Sequence, residues 1–153
     1  MKDLWTMAAQ LPIETGEDIV GGFDVGFDAK ISDSTKDALM EFVYWVEDHF
    51  AMPVTLWVDF KYNHYLVDRS KKRVGYKFYW ADFATYSEFC DFDDIPVIEL
   101  PVRTEHWTMD EILRSFIEAI THYFAWLSNL NMKEFVPDAE LVEMIFQAYQ
   151  NTR

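Results

Sequence analysis

Within FIEAITHYFAW, residues 116–126, Glu118 and His122 stand four positions apart. On a helix that spacing stacks two side chains on neighbouring turns. A carboxylate and an imidazole so placed can approach one metal ion, but hydrolytic zinc needs a further protein ligand and a base for the metal-bound water. The other histidines supply no local motif. His49 lies where a helix dipole favours an imidazole, His64 lies among Tyr62 and Tyr65, and His106 precedes a helix cap, so each reads as structural. Cys90 is the single cysteine, which excludes an internal disulfide or a cysteine zinc cluster. It reads as a small buried hydrophobe, without the local signature of a nucleophile. Gly21, Gly22 and Gly26 fit neither a phosphate loop nor a dinucleotide fingerprint.

Charge is the stronger signal. Thirteen Lys and Arg stand against 27 Asp and Glu, a net charge of -14. Such a surface repels nucleic acid and acidic membranes, and the basic cluster Arg69, Lys71, Lys72 and Arg73 occupies only one turn. Cationic protein surfaces are the partners it favours. Glu88, Asp91, Asp93 and Asp94 gather between two expected strands and are the candidate interaction residues. The aromatic row Trp57, Tyr62, Tyr65, Tyr76, Phe78, Tyr79 and Trp80 reads first as the packing of a sheet.

The positioning elements follow from hydrophobic period. At 153 residues, half of them hydrophobic, the chain is expected to form one domain with a continuous core. Residues 3–11 read as a short helix ended by Pro12, and residues 13–33 as glycine-rich loop with a short strand near Phe23–Phe27. Leu39, Phe42, Val43, Val46 and Phe50 recur at helical spacing, which predicts a helix over 34–52 begun by a Ser34/Asp37 capping box. Asp37, Glu41, Tyr44 and Asp48 fall opposite. From Val54 the period changes to two, so 54–102 is the expected sheet, with residues 54–67 hairpinned to 74–80 and IPVIELPV following. Its prolines place that last strand at an edge or put the prolines near its ends.

Thr108 to Glu111 spells a second capping box and opens a core helix over 108–131. Its apolar stripe runs from Ile112 to Leu130, and it places Glu118 and His122 opposite, beside Ser115. Pro137 and Asp138 start a last helix to about 151, with Leu141, Met144, Ile145 and Ala148 inward. The expected class is α+β: a small twisted, mainly antiparallel sheet of three to four strands against a long helix. No window has the length of apolar sequence that spanning a bilayer requires, so the expectation is a soluble, cytoplasmic protein.

This order of elements resembles the minimal zincin metallopeptidase layout over about residues 35–150, and EAITHYFAW is similar to that family's HExxH helix. The agreement lies in His122 and its aromatic neighbour. Glu118 stands at the first ligand position and Ala119 at the position of the general base. The resemblance implies a zincin-like domain that has lost its base, with Glu118, His122 and zinc as the alternative to a cofactor-free protein.

Two functions are therefore expected in order. The first is a non-catalytic acidic interaction protein that blocks a nucleic-acid-binding enzyme by charge mimicry, as small phage and mobile-element inhibitors block restriction or CRISPR nucleases. The second is a zincin-like metal-dependent hydrolase with an altered ligand set, or its inactive relative.

Overall fold

The computed structural model describes residues 22–62, 75–82, 94–127 and 138–152. In chain order these form β1 (Phe23–Phe27), α1 (Asp33–His49), β2 (Leu56–Lys61), β3 (Lys77–Asp82), β4 (Asp94–Pro101), α2 (Met109–Leu127) and α3 (Ala139–Asn151). The strand order is β1-β2-β4-β3. The α+β class expected from the sequence holds, and the short strand at Phe23–Phe27 is where the sequence put it.

The pairing differs from the expected hairpin. β1 runs parallel to β2, β2 runs parallel to β4, and β3 alone is antiparallel, pairing with β4. The sheet is thus mixed, and β2 and β3 are separated by the strand that follows them both. Val97, Ile98 and Leu100 of β4 are wholly buried. A strand apolar towards both faces gains most from the centre, which explains why β4 displaces the local hairpin partner. Its prolines do not contradict this, because Pro96 precedes the β2 ladder, which begins at Val97, and Pro101 closes it opposite Lys61.

Each helix is started by a side chain. Ser32, rather than Ser34, caps α1: its hydroxyl accepts from the Thr35 amide, and Lys36 donates to the Ser32 carbonyl at 3.0 Å. α1 then ends at His49, before Phe50 turns extended, so the helix stops short of Pro53. The Thr108/Glu111 box forms as written, with the Glu111 amide donating to Thr108 Oγ1 at 3.2 Å and the Thr108 amide to Glu111 Oε1 at 3.3 Å. Asp138 Oδ1 accepts from the amides of Glu140 and Leu141.

The three helices meet over one side of the sheet. Leu56, Val58 and Phe60 point to that side and are buried, while Trp57, Asp59 and Lys61 alternate to the other. Phe116 of α2 is the hub: its ring lies 5.9 Å from Phe23 of β1, 5.3 Å from Phe60 of β2 and 5.5 Å from Phe42 of α1. Phe42 also meets Tyr149 at 4.9 Å, which ties α1 to α3. In α3 the buried side is Leu141, Val142, Ile145, Phe146 and Tyr149. Met144 is 58% exposed and Ala148 is exposed, contrary to expectation, because the bulky Phe146 and Tyr149 turn the helix so that their rings are covered.

Candidate interaction surface

α1 carries its polar residues in one row. Asp33, Asp37, Glu41, Tyr44 and Asp48 are all exposed. At about 100° per residue they fall within roughly 80° of arc, opposite the buried Leu39, Phe42, Val43 and Val46. The row runs about 22 Å along the axis at about 1.5 Å per residue, with its successive members, Tyr44 included, roughly one turn apart. Tyr44 stands among them 58% exposed, the kind of aromatic that anchors interfaces. A rigid line of four carboxylates around a phenol is suited to Lys and Arg side chains, by charge and through the ring face.

On the flank of the same helix, Glu47 reaches the sheet. Its Oε2 accepts from the Phe23 amide at 3.0 Å, so a helix carboxylate occupies the outer side of the edge strand. Gly22 makes the approach feasible: a Cβ there would collide with the Glu47 carboxylate, and Gly22 holds φ at 81°.

The pair that opened the metal question does not lie on an open polar surface. α2 is covered by α3 on one side and by β3 and β4 on another, so Ser115 is 5% exposed and Glu118 and His122 are both partly buried. The His122 imidazole stacks on Phe78 of β3, with ring centroids 4.4 Å apart and planes 16° apart, and its Nδ1 lies 3.3 Å from the Tyr76 hydroxyl. Burial lowers its pKa to about 4, so it is neutral at ordinary pH. The Thr121 hydroxyl donates to the Glu118 carbonyl at 2.7 Å. Ala119, at the position of the missing base, faces the core with no exposure. Among the described residues no three of His, Cys, Asp and Glu come together as metal ligands. Among the described residues, the donors around His122 do not make up a zinc centre.

At the carboxyl ends of β2 and β4 a small polar cluster forms. The Tyr62 hydroxyl donates to Glu105 Oε1, Arg103 pairs with Glu105 at 3.0 Å, and the Arg103 guanidinium lies 4.9 Å from the Tyr62 ring centre. The bond to Glu105 raises the Tyr62 pKa, and it is also the largest cause holding the Glu105 carboxyl below its usual range. These three side chains bond to one another, as structural clusters do. His49 behaves as its position suggested: its Nδ1 lies 2.7 Å from the Trp45 carbonyl and its ring stacks on Trp45. His106 is exposed beside Trp107.

Glu88, Asp91 and Asp93 lie outside the described residues, as do Cys90, His64, Tyr65 and the cluster Arg69 to Arg73. Asp94 begins β4, where its backbone pairs with Asp82. The row on α1 is legible as the polar side of a periodic helix, whereas the loop acids are the denser group in sequence. Spacing by four disperses charges along the text and collects them in space. No family model matches the chain, and no curated protein or solved structure matches it either. Among the described residues no helix is long and apolar enough to cross a membrane.

Proposed function

We propose that the chain is a non-catalytic acidic interaction protein that docks on a cationic surface of another protein, of the kind that otherwise binds nucleic acid. The observation that carries the reading is the row Asp33, Asp37, Glu41 and Asp48 with exposed Tyr44 at its centre, on a helix whose opposite side is locked in the core. A net charge of -14 gives that row a long-range field of one sign, which steers a cationic partner and excludes nucleic acid itself. Rigidity matters as much as charge. Carboxylates held on a packed helix need little ordering on binding, so a groove shaped for phosphates can accept them in their place. Inhibition of a nucleic-acid-processing enzyme is the function such a mimic would serve.

The test is capture from a bacterial lysate on immobilised protein, at low and high salt, with duplex DNA as competitor. Wild type is compared with the triple variant Asp37→Lys, Glu41→Lys and Asp48→Lys. The expected partner is released by salt and by DNA, and it binds the variant at least about tenfold more weakly while the variant keeps its far-UV spectrum. Capture that ignores salt, or that survives the three reversals, sinks the proposal.

A further inference from the structure

The outer edge of β1 is the place where main-chain recognition can be added to charge. Gly22 O accepts from Leu56 N at 2.9 Å and Asp28 N donates to Phe60 O at 2.9 Å, so the even-numbered residues of this segment turn their main-chain groups towards β2. In a parallel ladder both main-chain groups of a residue serve the same neighbour, so Phe23, Val25 and Phe27 turn theirs outward. The Phe23 amide confirms the direction, because its partner is the Glu47 carboxylate on the outer side. Beyond it, no strand among the described residues pairs with Val25 or Phe27 on that side.

Edges are commonly blunted by proline, lysine or a bulge. β1 reads FDVGF, with neither proline nor lysine, and pairs with β2 in continuous register from Phe23 to Phe27. The charges beside it are acidic at its start and basic at its end: Asp24 is exposed on the side of the sheet away from the helices, Glu47 is exposed at the start of the edge, and the Lys36 ammonium lies 5.9 Å from the centre of the Phe27 ring. A second copy of this chain would bring the same acids and a net charge of -14 to this edge, and the two molecules repel one another. A strand with Lys or Arg opposite Asp24 gains from the same charges. Its alternate side chains would continue the apolar surface made by Phe23, Val25 and Phe27, which pack partly buried against the core.

We infer that β1 accepts an extended segment of a cationic partner protein, alternating basic and apolar residues, as an added strand on its outer edge. The inference rests on the proposed acidic docking function and names the form of one contact. Glu47 already takes the Phe23 amide, so the incoming strand bonds to the main chain of Val25 and Phe27.

The probe is an end-capped eight-residue peptide alternating Lys and Val, added to the full chain and followed by amide shifts and amide exchange. Peptides with Glu for Lys, or with Pro at two Val positions, are the controls. The expected result is protection of the Val25 and Phe27 amides and affinity at least about tenfold above either control. Val25→Pro should abolish this binding, since proline is tolerated at an outward-facing edge position but supplies no donor. Val25→Ala shares the loss of side chain and keeps the amide, so it should bind within about threefold of wild type. Equal affinity for the controls overturns the inference, as does absence of protection or equal behaviour of the two Val25 variants. Self-association that Val25→Pro removes also overturns it, by assigning the edge to a second copy. If lysate capture fails with the α1 reversals but survives Val25→Pro, the edge inference falls and the acidic docking reading stands. If peptide binding at Val25 holds while the reversals leave capture intact, the reverse is true.

Discussion

The imidazole of His122 lies flat on the ring of Phe78, centroids 4.4 Å apart, and so fastens the middle helix to the antiparallel edge strand as a neutral aromatic. Its pKa falls from 6.5 to about 4 because burial disfavours the charged form. The unfolded chain takes a proton near pH 6.5, and the folded chain does not until about pH 4. Unfolding stability is therefore complete above 6.5 and falls as pH drops from 6.5 to 4. Between pH 6.5 and about 5.5 the loss comes before most of the titration of ordinary carboxylates. His122→Gln should flatten the urea midpoint against pH in that window.

Tyr123 has no exposure, and its hydroxyl donates to the Val54 carbonyl at the entrance to β2. Burial raises its pKa well above the ordinary phenol value, so the group stays a donor throughout the working pH range. Tyr123→Phe keeps the ring and leaves the carbonyl without its partner, at a cost of about 1–3 kcal/mol. Chemical denaturation should show this as a lower midpoint with an unchanged slope. A midpoint equal to wild type would show that another group takes over the carbonyl.

The acidic row on α1 works against the stability of its own helix. Asp37 has Asp33 and Glu41 each four residues away, and Asp48 stands in the last turn, where the helix dipole disfavours an anion. Asp37→Asn and Asp48→Asn should each raise stability by about 0.2–0.5 kcal/mol, with the gain shrinking as salt is added. If the row is the docking surface, the same two substitutions weaken partner capture. A gain in stability with undiminished capture would leave the charges without a task.

Much of the fold was legible because it is encoded at short range. The helix period of Leu39 to Phe50, the Thr108/Glu111 box and the cap at Asp138 each depend on residues within about two turns of one another, and each appears where the residues indicate. The cap of α1 moved by two residues, to Ser32, since neighbouring hydroxyls in SDST compete for one position. The candidate site was half legible. Periodicity set Asp37, Glu41, Tyr44 and Asp48 opposite the core, and the structure adds Asp33 and shows the row exposed.

What the sequence determined by itself was composition, charge and the local period of its helices and strands. Tertiary structure alone decided that β4 enters between β2 and β3, because strand order depends on which apolar run gains most from burial on both sides, a comparison between distant segments. It also decided that His122 packs, half-buried, against Phe78 and Tyr76. A helical wheel drawn for a helix with one buried side cannot anticipate α2, which α3 covers from one direction and the sheet from another. Glu47 reaches the edge of β1 for the same physical reason: the contact spans 24 residues of sequence, and it exists only once α1 has been laid across the strand it follows.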